Sequence, residues 1–481
     1  MTRFLGSIGS DNRIALFIFV LVLSVYVFSA GGQLYSSDVM IAISVSSNFF
    51  HTGSFDMSKH PVAQTIGYCK TKEYCAVPRT LGSVASFLPF VFLEQLLTDN
   101  GPIVSIEDVI LRFWPIDFVY GTISLAFLAF VFFYFCRELG ASKNHAFVLT
   151  LACAFSTIVW TYGETPFNLV LSTPLLFSSI FLVFRAFKNN SSNDLLLSGL
   201  VTGLLVTMRF DGILFAFLLF LFVASKTFKN NKKLLFSWLS PVLFFLLIVA
   251  IYNAFVFGSI FSFGYEGSNL VFDVSLLFEG VYGLLFSPGA GLLFFSPLCF
   301  FGLFFLFDLY KKHSALALLI LSFFIVLLLF YGVQNFWHGW LSWGPRYLLS
   351  VVPLLLLPLA VVFKIKSKNA AFLGIFLLLA LAGFLVAFLS VSVNWVASYN
   401  YAGGISSLIE PGEIVPSKAI YDFSNSQISY HWQILTGQIM NEYADIFDFY
   451  LYREFGLLSV LLLLFVVAAS FLYLRPFDKV K

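Results

Sequence analysis

The sequence predicts an all-α polytopic membrane protein with about twelve transmembrane helices. Of its 481 residues, 59% are hydrophobic and only 11% are charged, against roughly 25% charged residues in an ordinary soluble domain. With a mean hydropathy of +0.92, the chain has too little polar surface to cover a soluble fold. A formal net charge of +2 excludes a protein held to nucleic acid by bulk electrostatics, so we expect no nucleic-acid partner.

Twelve segments are apolar enough to cross a bilayer, which takes about 20 residues, or fewer where a helix is shielded by its neighbours. The first is predicted to be a retained helix, because no small-residue cleavage site follows it and more membrane segments do. Arg209, Asp211 and Gly212 interrupt the stretch 195–225, which favours two short helices over one kinked helix. The twelve predicted spans are 14–32, 113–135, 146–162, 167–184, 195–208, 212–225, 234–256, 291–307, 314–333, 347–363, 370–393 and 456–474.

The distribution of basic residues predicts the orientation of these spans. If the N-terminus is cytoplasmic, 18 of the 27 Lys and Arg residues fall in short inner connections, as the positive-inside rule requires. Acidic residues show the opposite bias, and 20 of 25 fall on the outer side. We therefore expect a plasma or inner membrane protein with both termini in the cytoplasm. The apolar stretch 83–97 contains Pro89 and Glu94 and is predicted to lie along the outer interface, because a span there would invert the charge pattern.

The long hydrophilic segments all fall on the predicted outer side and indicate where the working surface lies. We expect one transmembrane domain over 1–481, with 33–112 as its first and 394–455 as its last large extracytoplasmic segment. Cys69 and Cys75 lie close together in the first of these segments. In an oxidising compartment they form a local disulfide, or else they are two free thiols. The remaining cysteines are predicted to be apolar filler within helices: Cys136, Cys153 and Cys299.

Two acidic residues are candidates for chemistry at the outer boundary. Asp38, in YSSDVM, follows the first helix, where a carboxylate can act as a general base. It can equally be a solvated helix N-cap, as can its serine neighbours. Glu164, in WTYGETPFN, lies in a short outer turn. It is either an acceptor for the hydroxyl groups of a substrate or a carboxylate favoured by a helix N-terminus.

Two further sequences place polar groups at the outer ends of helices. Arg209 and Asp211 interrupt apolar segments, where charges are usually paired or functional. Positions i and i+2 do not face each other on a helix, but at a turn the two can form an ion pair. The segment 286–298, FSPGAGLLFFSPL, combines Gly and Pro in a tight turn before a helix. Such a helix start can offer backbone N–H groups to an anion, or the small residues can simply turn the chain.

The densest group of candidates is NFWHGWLSWGPRYLL, residues 335–349. Tryptophans at an interface are commonly membrane anchors, which covers Trp343 and its two neighbours but not Arg346. A guanidinium at the lipid level matches a phosphate with two parallel hydrogen bonds. Aromatic planes suit stacking on sugars. We therefore take His338, Trp343 and Arg346 as candidate substrate-binding residues.

The sequence predicts no cofactor. No pair of acids in a DxD pattern occurs in the first outer segment, although a hard divalent metal needs several oxygen ligands. No nucleotide-binding glycine loop occurs on the predicted cytoplasmic side. Any energy for a reaction is therefore expected to come from the membrane or from outside.

Taken together, these residues resemble the GT-C superfamily of integral membrane glycosyltransferases. The resemblance rests on an acidic residue after the first helix and on three blocks. The blocks are similar to bacterial and archaeal members near the protein mannosyltransferase and aminoarabinose-transferase branch. They are YNAFVFGSIFSFGY (252–265), GLLFSPGAGLLFFSPL (283–298) and WHGWLSWGPRYLLSVVPLLLLPLA (337–360).

The resemblance implies an enzyme that takes a sugar from a polyprenyl- or dolichyl-phosphate carrier in the outer leaflet. The acceptor would be a glycan, a lipid or a protein. Asp38 matches the catalytic-base position, and Arg346 matches a contact to the carrier phosphate. Two departures stand out, since Val39 replaces a second acid and Ala290 stands where relatives carry a basic residue. The phosphate would then be held by Arg346 or Arg209.

Two other classes of function remain open from the sequence. A transporter or lipid flippase places polar, broken helices at the bilayer midplane and is often built from repeats, and no internal repeat is visible here. A polysaccharide polymerase that handles lipid-linked glycans also needs outer loops and arginines. The depth of the charged groups in the bilayer distinguishes the two classes. A transporter needs them near the centre, and a transferase needs them near the outer boundary.

Overall fold

The computed structural model describes nine stretches of the chain, and every regular element in them is helical. Isolated bridge residues are the β structure among these residues, such as the antiparallel bridge between Phe272 and Gln334. The prediction of an all-α protein is confirmed. The described residues are 9–34, 36–65, 74–98, 100–228, 231–264, 270–339, 342–393, 417–438 and 449–474.

Several consecutive helices are joined by short connections. Short 3-10 turns occur at Trp114–Phe118, Val274–Leu276, Arg346–Leu348 and Phe423–Asn425. The α-helices are α1 Ser10–Ser29, α2 Ser37–Thr52, α3 Pro61–Thr65, α4 Leu81–Thr98, α5 Ile106–Phe113, α6 Tyr120–Glu138, α7 Lys143–Phe155, α8 Val159–Gly163, α9 Asn168–Asn189, α10 Ser192–Met208, α11 Gly212–Thr227, α12 Lys232–Phe257, α13 Leu277–Phe286, α14 Leu292–Phe295, α15 Leu298–Phe304, α16 Leu306–Gly332, α17 Val352–Lys366, α18 Ala370–Ser392, α19 Ser417–Tyr421, α20 Gln427–Leu435, α21 Tyr450–Phe455 and α22 Leu457–Leu474.

Eight helical stretches of the described chain are long and apolar enough to cross a membrane. They identify a multi-pass membrane protein, whereas the count of twelve spans stays a prediction. Five of the twelve predicted spans are short or broken helices, while α4 is a candidate span that lies outside the twelve. Segments 195–208 and 212–225 are the short helices α10 and α11, as predicted, while 146–162, 291–307 and 347–363 are divided by breaks. The eight stretches are α1, α4, Ile106–Glu138, α9, α12, α16, α18 and α22.

Helix α4 covers the stretch predicted to lie along the outer interface. It runs unbroken through Pro89 for 18 residues, which is long enough for a candidate span. Its acidic residue, Glu94, is paired with Arg112 of α5 through two hydrogen bonds of 2.8 and 2.7 Å. The charge that argued against a span is therefore compensated within the protein.

The chain forms two compact units, each assembled from separate stretches of sequence. Unit 1 comprises Met1–Gly31, Thr122–Glu164 and Leu270–Lys481. In it, Asp11 lies 2.9 Å from Arg137 and 3.6 Å from Lys143, so three residues predicted on the cytoplasmic side meet in one ion cluster.

Unit 2 comprises Gly32–Gly121 and Thr165–Asn269. In it, α10 packs against α9 and α12. The packing against α12 is so close that a Cβ at Gly199 would lie 2.3 Å from the carbonyl of Trp238.

Candidate active-site residues

Asp38 lies in the first turn of α2, in unit 2. The N-cap of this helix is Ser36, whose hydroxyl accepts a 3.2 Å hydrogen bond from the backbone amide of Asp38. Because Ser36 caps the helix, the carboxylate of Asp38 is available for another contact. It accepts a 2.8 Å hydrogen bond from Nη2 of Arg79, and its side chain stays 46% exposed. The arrangement presents a solvent-accessible carboxylate that is paired with an arginine.

The chain that leads into α2 is held by a buried acid. Oδ2 of Asp117 accepts a 3.0 Å hydrogen bond from the backbone amide of Gly32, which has a φ of +67°. A positive φ is a conformation that glycine adopts at little cost. The approach to Asp38 is thus tied to the 3-10 turn Trp114–Phe118, which carries Asp117.

Arg79 is the functional candidate that the sequence did not reveal. It lies in an extended stretch, residues 74–80, that we call the strap, immediately before α4. Its side chain is only 9% exposed. Nη1 donates to the carbonyl of Pro78 at 2.8 Å, and Nη2 donates to Asp38. In the sequence alone, Arg79 is one of several basic residues in the long segment predicted on the outer side. Its spacing from other residues does not distinguish it from them.

Arg209 and Asp211 form an ion pair at the turn between α10 and α11. Nε and Nη2 of Arg209 lie 2.9 and 3.2 Å from the two carboxylate oxygens of Asp211, and Nη1 lies 3.2 Å from Oδ1 of Asn168. The turn geometry allows what two helical positions would not. The hydroxyl of Thr80 donates to the carbonyl of Met208 at 2.6 Å, so this turn adjoins the end of the strap.

The loop that carries Arg346, in unit 1, depends on two glycines with positive φ. Gly344 has a φ of +63°, and a Cβ there would lie 2.5 Å from the ring of Phe295. Gly339 has a φ of +69°, and a Cβ there would lie 2.9 Å from Nε of Arg346. Only a residue without a side chain fits both positions, so the glycines of HGW and WGPR fix the path of the arginine.

The guanidinium of Arg346 is oriented by a pair of tyrosines. It lies 5.0 Å above the ring of Tyr347 and donates a 3.3 Å hydrogen bond to that residue's hydroxyl. The ring of Tyr347 in turn stacks on Tyr331, with centroids 4.1 Å apart and an interplanar angle of 5°. A planar cation held in this way is suited to a planar, charged partner such as phosphate.

Glu164 belongs to the same unit and lies near this loop through its neighbour Tyr162. The hydroxyl of Tyr162 donates to the carbonyl of Trp343 at 3.0 Å. Glu164 is 7% exposed and follows the C-terminus of α8, whereas α9 begins only at Asn168. A carboxylate at that end gains nothing from a helix dipole, so this geometry does not support the helix-N-terminus alternative.

His338 is packed among aromatic rings. Its ring centroid lies 5.4 Å from that of Trp337 and 6.2 Å from that of Phe336, and the side chain is buried. These contacts give it a packing role; its assignment to substrate binding stays a prediction.

His431 is a second residue that the sequence did not indicate, being a single histidine in the segment 394–455. It is fully buried in α20, with its ring centroid 4.4 Å from that of Trp343 and Nδ1 3.1 Å from the carbonyl of Leu389. Burial lowers the pKa of His431 to about 4, although the hydrogen bond to Leu389 acts in the opposite direction. It is therefore a neutral support behind Trp343 at physiological pH.

The turn in FSPGAG does not offer its N–H groups to an anion. The amide of Gly289 donates to the carbonyl of Ile420 at 2.9 Å. The amides of Ala290 and Gly291 donate to the hydroxyl and the carbonyl of Ser287, at 3.1 and 2.7 Å. The small residues turn the chain, and their own amides are already used within the protein. An anion site at the helix start that follows, Leu292–Phe295, stays a prediction.

Cys75 is disulfide-bonded, while Cys69 lies outside the described residues, as do Tyr35 and Trp340. The cysteines predicted to be filler are free and buried, as expected: Cys136, Cys153 and Cys299. In the part of the chain that the structure describes, no three His, Cys, Asp or Glu side chains are grouped so as to hold a metal ion.

The chain matches no family model, and no curated protein is similar to it. The candidates therefore rest on the residues and their geometry. Unit 2 brings Asp38 together with Arg79 and places the Arg209 turn beside the strap. Unit 1 joins Glu164, through Tyr162, to the loop with Trp343 and Arg346.

Proposed function

We propose that the protein is an integral membrane glycosyltransferase of the GT-C type. It moves a sugar from a polyprenyl- or dolichyl-phosphate carrier to an acceptor on the extracytoplasmic side, with inversion at the anomeric carbon. The observation that carries this proposal is the pairing of Asp38 with Arg79 at the start of α2, where the carboxylate stays half exposed. That arrangement provides a carboxylate base at the start of an apolar helix, accessible to an acceptor hydroxyl.

The proposed reaction is a single displacement. Asp38 takes the proton of the acceptor hydroxyl, whose oxygen attacks the anomeric carbon. The bond between that carbon and the carrier phosphate breaks, and its electron pair leaves with the polyprenyl phosphate. An arginine stabilises the negative charge that grows on the departing phosphate. Neither a redox step nor a nucleotide is needed, because the carrier supplies the leaving group.

Of the two arginines considered for the phosphate, Arg346 is the better candidate. The guanidinium of Arg209 is engaged by both oxygens of Asp211 and by Asn168. That ion pair accounts for Arg209 as a structural residue at a turn. Arg346 is oriented by the stacked rings of Tyr347 and Tyr331, and its planar guanidinium has the geometry that recognises a phosphate.

A transporter or flippase is the less favoured alternative. In α1, α4, α9, α12 and α16, every charged side chain lies within seven residues of a helix end, and α18 and α22 contain none. The remaining candidate span, Ile106–Glu138, carries Asp117 at its 3-10 turn. Transporters place polar groups and broken helices near the middle of the bilayer. The position of the charges instead favours chemistry at a membrane boundary. A polysaccharide polymerase would also act at a membrane boundary. It differs from the proposed transferase in the donor that it uses.

A donor panel separates these functions. The purified protein in lipid vesicles is given radiolabelled sugars on polyprenyl monophosphate or on polyprenyl diphosphate, with a mixture of hydroxylated acceptors. The proposal expects release of polyprenyl phosphate and transfer of label from the monophosphate donors. Turnover of diphosphate donors alone indicates a polymerase. Movement of the intact donor across the bilayer without cleavage indicates a flippase, and either result overturns the proposal.

A further inference from the structure

The outer end of α12 belongs to the YNAFVFGSIFSFGY block, which the proposed reaction leaves without a role. Tyr252, near this end, is 7% exposed, and its hydroxyl donates a 3.0 Å hydrogen bond to the carbonyl of Arg79. The contact is reciprocal, because the hydroxyl of Tyr74 in the strap donates to the carbonyl of Val256 in α12 at 3.0 Å. The two tyrosines thus join both ends of the strap to α12.

The strap needs such partners because it has no secondary structure of its own. A buried carbonyl without a donor is costly. The carbonyl of Cys75 accepts from the amide of Met57 at 2.9 Å, and that of Pro78 accepts from Arg79 itself. The carbonyl of Arg79 is provided for by Tyr252. Each anchor therefore fills a defined backbone acceptor.

Asp56 provides a further anchor for the strap. Its Oδ1 accepts 3.0 and 2.9 Å hydrogen bonds from the amides of Cys75 and Ser58, and its Oδ2 accepts from the Ser58 hydroxyl at 3.0 Å. Burial alone would raise the pKa of Asp56, but the hydrogen bonds from Cys75 and Ser58 outweigh it and hold that pKa below its ordinary value. The carboxylate is therefore ionised at neutral pH and its anchoring bonds persist.

We propose that Tyr252 is a positioning residue, which acts through the backbone of Arg79 to hold the guanidinium against Asp38. Both ends of the Arg79 residue are then fixed, the backbone by Tyr252 and the side chain by Pro78 and Asp38. Without the phenol hydroxyl, the strap moves and Asp38 loses its partner. This inference rests on the proposed function insofar as Asp38 is the base.

The test is a double-mutant cycle in which Tyr252→Phe is made in the wild type and in an Arg79→Gln background. Loss of a neutral hydrogen bond is worth about 0.5–1.5 kcal/mol, so kcat for carrier turnover should fall roughly two- to tenfold with KM nearly unchanged. In the Arg79→Gln background the same substitution should have no further effect. Tyr134→Phe, which removes a hydroxyl bonded to Asn12 in unit 1, is the matched control and should leave kcat unchanged.

Amide hydrogen exchange of the strap gives a readout that does not depend on activity. Exchange should accelerate in Tyr252→Phe and stay at the wild-type rate in Tyr134→Phe. Equal effects of Tyr252→Phe in both backgrounds, or unaltered exchange, overturn the positioning role. If the wild type turns over no carrier, the proposed function has failed and the catalytic role of Tyr252 fails with it. The exchange rates would still show whether the tyrosine holds the strap.

Discussion

The hydroxyl of Tyr162 donates a 3.0 Å hydrogen bond to the backbone carbonyl of Trp343. This bond ties the end of α8, which carries Glu164, to the loop that carries Arg346. Trp343 is further enclosed by Phe295 and His431, whose ring centroids lie 5.4 and 4.4 Å away. The loop around Arg346 is thus held from several sides, so a conservative change of the arginine alone should report on its chemistry.

Arg346→Lys should lower carrier affinity or turnover by roughly ten- to a hundredfold. Lysine keeps the charge but loses the planar fork that matches a phosphate, and one charged hydrogen bond is worth about 1.5–3 kcal/mol. The measurement is turnover as a function of carrier concentration. Arg453→Lys is the matched control, because Arg453 also lies over a tyrosine ring, Tyr450, at 5.4 Å. Unchanged kinetics in Arg346→Lys would make Arg346 an anchor at the lipid surface and move the phosphate site elsewhere.

Gly344→Ala should destabilise the protein more than Gly437→Ala does. Both glycines have a positive φ, of +63° and +71°, but a Cβ at Gly344 would meet Phe295 at 2.5 Å, whereas nothing lies within 4 Å of one at Gly437. The left-handed backbone costs an alanine about 1–2 kcal/mol at either position, and overpacking adds about 1–3 kcal/mol at Gly344. Thermal unfolding in detergent measures both. Equal losses of stability in the two variants would mean that the ring of Phe295 moves aside with no cost in free energy.

His431 should make the protein less stable as the pH falls from 6.5 to 4. Its pKa is about 4 in the folded chain, against an ordinary value of 6.5 for histidine. The unfolded chain therefore binds more protons within this window. The contribution of His431 to the free energy of unfolding is fully present above pH 6.5. It decreases by about 1.4 kcal/mol per pH unit below that pH. His431→Asn, which removes the titrating ring, should show a shallower slope once its intrinsic cost is measured at pH 8. A slope equal to that of the wild type would contradict the assignment.

Much of the fold could be predicted from local sequence, and the failures have specific causes. Apolar stretches such as α12 and α18 were located from hydropathy because lipid selects for them directly. The predicted span 291–307 is instead the two short helices α14 and α15, followed by the start of α16. Hydropathy does not register such breaks. Gly302, within α15, shows how closely these short helices pack, since a Cβ there would lie 1.8 Å from the carbonyl of Leu355. That approach depends on tertiary packing.

The candidate site was predictable only where residue type and depth coincided. Asp38 and Arg346 were found because a charge beside an apolar helix is uncommon. Arg79 was missed because its significance comes from a partner 41 residues away in the sequence. Local sequence patterns do not reveal contacts between residues so far apart. Tyr252 lies in the YNAFVFGSIFSFGY block, but the sequence predicts no role for it, since a phenol at a helix end is usually a membrane anchor. His431 lies in a long segment without periodicity, where burial cannot be predicted.

Asp38→Asn tests the central claim most directly, measured as release of polyprenyl phosphate by protein in lipid vesicles. The substitution is nearly isosteric but cannot accept a proton at neutral pH, and general-base catalysis contributes about 10²–10⁴-fold. The account predicts a folded, membrane-inserted protein, verified by an unfolding midpoint close to that of the wild type, in which release has fallen at least about a hundredfold. Asp273→Asn, at an exposed carboxylate that accepts hydrogen bonds from the amide and the side chain of Ser275, should retain wild-type release. Release by Asp38→Asn within about threefold of the wild type would contradict the account, because Asp38 could not then be the base.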